Sequence, residues 1–161
     1  MNPDGHTSSD KDKTFSIKIQ PGTAEGQQII YKEEGDQGPT IIPADIIFDV
    51  KTTQHTIFTR NGDDLEFTAT VPLVRALVGC SIEVPTLDNR EISVPINSII
   101  HPKFQKVVQN EGMPLYSNPC QKGNLIIKFE IEFPDKLLPE AKGMIKQAFE
   151  IRQDTIKHML R

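Results

Sequence analysis

The sequence predicts a mainly β protein built from two copies of one β-unit, ending in a helix. Three observations predict it. From Lys13 onward, short apolar segments alternate with period two. Three of those segments recur in the same order. After Pro139 the apolar period changes to three and four residues. The recurrent pairs are SIKIQ (16–20) with SVPIN (93–97), IYKEEG (30–35) with VVQNEG (107–112), and ADIIFDV (44–50) with GNLIIKF (123–129). Alternating strands resemble each other easily, so it is the shared order that points to duplication. The second copy has elements in front, 64–92, that the first lacks.

In chain order, residues 1–12 read as a loose polar tail. TFSIKIQ places Phe15, Ile17 and Ile19 on one strand face. QPGTAEGQ is a turn by its Pro-Gly pair and second Gly. QQIIYKEE is a strand ended by Gly35, GDQGPTIIP a loop, and ADIIFDVK a third strand. TTQHTIFTRNGDD reads as a short bridge with a turn at Asn-Gly-Asp, and LEFTATV alternates again. PLVRALVG makes about two helical turns, started by Pro72 and stopped by Gly79. SIEVPTL and REISVPI flank a hairpin turn at Leu87-Asp88-Asn89-Arg90. KFQKVVQN, a turn-rich loop and NLIIKFEIEF follow. In the last segment Ala141, Met144, Ile145, Ala148 and Phe149 form an amphipathic stripe on a helix running to about Met159.

Bulk properties exclude several classes. The chain has 161 residues, 37% of them hydrophobic and 25% charged, enough for a packed core. A net charge of −4 without clustered Lys and Arg argues against nucleic acid and anionic membranes. There is no 18-residue apolar run and no apolar signal core behind Met1. Two cysteines make neither a disulfide scaffold nor a Cys-only zinc site, and a reducing compartment follows, cytoplasm or nucleus rather than a secreted one.

Catalysis finds no constellation. His6, His55, His101 and His158 form no HxH or HExxH set and read as surface residues, so no metal and no cofactor is expected. G-x-S-x-G, P-loop and G-x-G-x-x-G patterns are absent. Asp63 and Asp64, at a strand entrance, read as acceptors of backbone hydrogen bonds rather than an acid–base pair. EEGD (33–36) lacks the calcium-loop pattern. Cys80 reads as a small buried residue. Cys120, in a polar loop two residues from Lys122, has no base nearby in sequence. A small enzyme using Cys120 is therefore the weakest reading, and no enzyme is expected.

Apolar surface remains. Ile46, Phe48 and Val50 share one strand face and Ile47 the other. Such a strand is covered on both sides or offers one face to a ligand. The helix stripe likewise packs back on the sheets or meets a second chain.

GDDLEFTATVPLVRALVGCSIEVPTLDNREISVPI and NEGMPLYSNPCQKGNLIIKFEIEFP closely resemble the C-terminal half of DnaJ-like (J-domain, heat-shock 40 kDa class) co-chaperones. The family's Gly-Asp-Asp/Asn-Leu is matched by Gly62 to Leu65. Its Pro-Leu and Ala-Leu-Gly segment is matched by Pro72, Leu73, Ala76, Leu77 and Gly79. Val-Pro-Thr-Leu-Asp-Gly falls on Val84 to Asp88, with Asn89 for Gly. Gly-Met-Pro is Gly112 to Pro114, and Gly-Asp-Leu is Gly123 to Leu125, with Asn124 for Asp. The match covers residues 13–150. No C-x-x-C-x-G-x-G repeat occurs, so the resemblance is to the zinc-free, type II class. The J domain, the first domain's opening strands and most of the family's basic groove residues have no counterpart here, and His101-Pro102-Lys103 does not replace the His-Pro-Asp loop.

The resemblance implies two tandem β-sandwich-like domains, the first incomplete, and a dimerisation helix. The corresponding division is a tail (1–12), a partial client-binding β-domain (13–54), a second β-domain (55–136) and the helix (137–161). It further implies a homodimer that binds unfolded or extended apolar polypeptides and delivers them to a DnaK-type chaperone ATPase. The groove residue of the family maps onto Phe48, with Ile46 on the same face and Ile17 on a neighbouring strand. The dimer contacts map onto Phe133, Leu137 and Phe149, and Met144 and Ile145 extend the same stripe. The alternative is a structural subunit of a larger assembly, such as a ciliary axoneme, where J-protein relatives also occur.

Overall fold

A computed structural model describes residues 12–36 and 42–159, with side chains through Glu150 in the last helix. The tail expected over 1–12 and His6 fall, all but Asp12, outside the described residues, as does the middle of the loop at 35–43. The elements are β1 (Gln28–Tyr31), β2 (Ile46–Asp49), β3 (Phe58–Asn61), β4 (Asp64–Pro72), α1 (Leu73–Val78), β5 (Cys80–Pro85), β6 (Glu91–Ile96), β7 (Gln105–Val108), β8 (Leu125–Glu132) and α2 (Pro139–Met159). They make a β1–β2 ribbon, a four-stranded sheet in the order β3-β4-β8-β7, and a β5–β6 ribbon. The protein is mainly β with a C-terminal helix, as its periodicity predicts.

Two compact units arise, Met1–Thr68 with Gln105–Lys128 and Ala69–Phe104 with Phe129–Arg161. The core of the first holds Phe58, Leu65, Leu125 and Ile127. Leu65 and Ile127 point inward because alternate residues of β4 and β8 share a face. The core of the second holds Ala76 of α1, Ile82 and Val84 of β5, and Val94 and Ile96 of β6. Ile82 stands directly opposite Val94, so the β5–β6 ribbon buries one face and leaves Ser81, Glu83 and Ser93 outside. There Ser81 and Ser93 share a hydrogen bond of 2.8 Å, and Ser93 donates to Glu83.

The repeat read from sequence is present in the backbone. Ile30 pairs with Ile47 as Val107 pairs with Ile126, both in antiparallel register. Each ribbon's first strand leads to a non-glycine residue with positive φ, Glu33 at 55° and Asn110 at 61°. Two residues on, Gly35 N–H donates to Ala44 O and Gly112 N–H donates to Gly123 O. A Cβ at either glycine would lie under 3 Å from the facing backbone, which is why both copies keep glycine. The third pair of segments differs. SVPIN lies in β6 and takes its ladder from β5, whereas SIKIQ is in no strand. The TFSIKIQ strand is thus a correction: no described strand pairs with it in a ladder. Phe15 and Ile17 are half-buried and Ile19 is exposed.

A second correction concerns 52–64. The expected bridge contains β3, which pairs with β4 through a two-residue Gly62-Asp63 turn, with Gly62 at φ 64°. One buried apolar residue, Phe58, left too little alternation to read. Its pairing with Phe67, ring centroids 6.0 Å apart, supplies what the local pattern lacks. The β5–β6 turn forms where expected. Asn89 takes φ 59° in place of the family's glycine, which Asn tolerates better than most residues. Cys80 is half-buried rather than buried.

Asp63 and Asp64 do accept backbone donors. Asp64 Oδ1 accepts from Asn124 N–H at 2.7 Å, and Asp63 O accepts from Met113 N–H at 2.9 Å. Leu65 N–H returns to Asn124 O. Neither Asn124 contact uses its side chain, so the exchange of Asp for Asn leaves this junction intact. A Cβ on Gly123 would lie 2.1 Å from Asp63 O. Gly123→Ala should therefore lower stability by about 1–3 kcal/mol. Gly143→Ala, on α2 with open space around its Cβ position, should raise it by about 0.5–1 kcal/mol. Urea midpoints of the two variants check both signs.

Lys128 on β8 donates to Glu66 on β4. That hydrogen bond is the largest influence and, with the lysine charge and a hydrogen bond from Asn61, it holds the Glu66 carboxyl below the usual glutamate range although desolvation opposes it. A depressed carboxyl pKa stabilises the fold above the unfolded-state value and loses that contribution as pH falls through the folded value. NMR titration should place the Glu66 midpoint below that of an unperturbed glutamate, and Lys128→Met should move it back up.

Candidate functional site

Two apolar surfaces stand out, one in each unit. In the first, antiparallel register places Ile29 opposite Phe48 and Tyr31 opposite Ile46, so these four share one face of the β1–β2 ribbon. Phe48 is not bare. Its ring centroid lies 6.1 Å from Phe15 and 5.8 Å from Tyr31, and Phe15 and Tyr31 are 5.1 Å apart. Edge-on pairing suits the ring quadrupoles and closes an aromatic triad. Tyr31 OH donates to Ser16 O, tying the extended segment beneath the ribbon. Ile17, Ile46, Phe48 and Val50 are all half-buried. On the opposite face Ile30 and Ile47 stand directly across from each other, each 51% exposed. The strand is apolar on both faces, as read: the Ile47 face is the more exposed, and the Phe48 face is half-exposed.

In the second unit, α1, the 132–137 segment and α2 enclose a groove of about 830 Å3. Phe133, Leu137, Ile145 and Phe149 line it. Helical spacing alone puts Ile145 and Phe149 on one face. Phe133 is 65% and Phe149 52% exposed. Four of the five residues expected to act together are thus gathered; Met144 is exposed and lies outside the lining.

The other wall was not anticipated. Leu73, Val74, Leu77 and Val78 of α1 line the groove, with Val74 at 71% and Val78 at 82% exposure. Only Ala76 of α1 is buried, and the helix stops at Gly79, whose N–H donates to Arg75 O and whose φ of 98° turns the chain out of the helix. The signal was present as two apolar pairs at i, i+4, Leu73 with Leu77 and Val74 with Val78, more than a six-residue helix needs to seat one alanine. An apolar concavity of this kind suits apolar side chains.

The candidate reactive groups are dispersed. Cys120 is exposed, and its backbone N–H is held by Asn118 Oδ1 inside a loop closed by Leu115 N–H to Gln121 O. His55 Nδ1 accepts from the Ile57 and Phe58 N–H groups, so it caps the approach to β3, and His101 packs against Phe104. The His158 side chain lies outside the described ones. Among the described residues no three His, Cys, Asp or Glu side chains are placed to hold a metal ion, and no helix is long and apolar enough to cross a membrane.

Comparison with known proteins agrees with the motifs. The family profile of the DnaJ C terminal domain matches residues 5–134. DnaJ homolog subfamily B member 13 of Homo sapiens is 51% identical over 148 residues, 92% of this chain and 47% of that protein. DnaJ homolog subfamily B member 5 of Homo sapiens is 41% identical over 147 residues, 91% of this chain and 42% of the relative. DnaJ protein homolog 1 of Drosophila melanogaster is 36% identical over 138 residues, 85% of this chain and 41% of the relative. The chain spans less than half the length of these relatives. With a profile match over most of its length and the family's glycine-dependent turns in place, the chain belongs to the DnaJ C-terminal domain family.

Proposed function

We propose that this chain is the client-binding and homodimerising C-terminal region of a DnaJ-like co-chaperone, which hands unfolded polypeptides to a DnaK-type chaperone ATPase without catalysis of its own. The observation that carries the reading is the open apolar groove of the second unit, in a chain of this family. Phe133, Leu137, Ile145 and Phe149 leave large apolar surface in water, a cost that a second copy of α2 removes by burial. Met144 extends the interface beyond the groove.

Clients bind at the β1–β2 ribbon. Ile46 and Phe48, with Ile17 beside them, form a firm apolar platform, because the Phe15–Tyr31–Phe48 triad fixes the ring without burying it. An extended chain on such a surface is held by side-chain burial and strand-edge hydrogen bonds, with modest affinity and little sequence preference. The partial client-binding domain spans 13–54, the second β-domain 55–136 and the dimerisation helix 137–161.

Phe149→Asp buries an unpaired carboxylate at the interface and should weaken the dimer by about 3 kcal/mol or more, giving monomer in light scattering at micromolar concentration. An unchanged dimer removes the assignment of α2. Phe48→Ser should weaken binding of an extended apolar peptide roughly tenfold, read by fluorescence anisotropy. Equal affinity in both proteins removes the ribbon as the client surface.

A further inference from the structure

Arg60 takes no part in either surface, yet each nitrogen of its guanidinium donates to a backbone carbonyl. Its Nε donates to Gly62 O at 2.8 Å, one terminal nitrogen to Thr23 O at 2.8 Å, and the other to Gly22 O at 3.3 Å. The first bond holds the side chain to its own β3–β4 hairpin. The other two reach across 37 and 38 residues to the turn that precedes β1. Cationic donors to carbonyl oxygens are stronger than neutral ones, and only a planar fork serves three acceptors from fixed directions.

That turn leads directly into the ribbon. Gly26 N–H donates to Val50 O at 2.8 Å, and Val50 N–H donates to Gln27 O at 3.0 Å. On its other side, Gly22 is buried with φ 84°, and a Cβ there would lie 2.4 Å from Pro114 O. The turn is therefore seated by one close backbone approach and by Arg60. Next to Arg60 a cleft of about 200 Å3, lined by Ala24, Glu25, Thr52, Gly62 and Asp63, leaves it free space. Where packing is open, the arginine bonds are the attachment.

We propose that Arg60 is a positioning residue that latches the β1–β2 ribbon to the β3–β4 hairpin, setting how rigidly the ribbon is presented. As a statement about the latch this stands on geometry alone; as a statement about binding it rests on the client reading above.

Amide hydrogen exchange on the full chain tests it. In Arg60→Met the amides of Thr23, Gly26 and Val50 should exchange about tenfold faster or more, the loss of charged hydrogen bonds, while Ile82 and Val94 in β5–β6 keep their protection. Arg60→Lys, a single point charge, should fall between the two. Unchanged protection at Gly26 and Val50 in Arg60→Met overturns the latch, and so does a loss of equal size across all these amides, which marks general destabilisation. Affinity for an extended apolar peptide is measured on the same variants. A loosened ribbon with weaker binding supports both readings; a loosened ribbon with unchanged affinity keeps the latch and overturns the client surface.

Discussion

The close approach of residues 123 and 124 to Asp63 and Asp64 is the constraint on which the first unit depends. No side chain fits at position 123, since a Cβ would occupy the place of Asp63 O. With glycine there, Asp64 holds Asn124 N–H and Leu65 N–H holds Asn124 O, which sets Leu65 and Leu125 into one core. Met113 N–H on Asp63 O and Gly112 N–H on Gly123 O draw the long 109–124 connection into the same junction. A loop of that length would otherwise carry a large conformational freedom. Hydrogen bonds to the hairpin remove it.

The two copies of the β-unit solve one local problem in one way. A strand ends, the chain turns through a residue at positive φ, and a glycine two positions on meets the start of the returning strand. Backbone geometry, and not side-chain identity, is what the duplication preserves: Glu33 and Asn110 differ in chemistry yet share the left-handed region. The copies diverge where pairing partners differ. β6 gains a full ladder from β5, while 15–20 is held by the Phe15–Tyr31 ring contact and the tyrosine hydroxyl on Ser16 O.

Much of the candidate surface was legible because helical periodicity survives in sequence. Phe149 and Ile145 announce a face, and Phe133 and Leu137 precede it by a short span. The α1 wall was not, because six residues are too few to show which side faces a core. Only the burial of Ala76 reveals that Val74 and Val78 are spare. Phe48 was legible as an apolar strand residue, whereas its companions Phe15 and Tyr31 come from segments 33 and 17 residues away. Arg60 gave no signal at all, since a lone arginine in a segment read as a bridge looks like a solvated side chain.

By itself the sequence determined the local alternation, the turns and the helix, because each depends on a few neighbouring residues and on backbone sterics. It determined the repeat and the family through ordered glycine and proline positions. Tertiary structure decided the rest. Whether 14–20 becomes a strand depends on a partner ladder, and whether 58–61 does depends on β4. Which face of the ribbon is the more exposed follows from the aromatic triad, and α1 joins the groove because its core needs only one alanine. Those outcomes rest on contacts between residues distant in the chain, whose energies no local window contains.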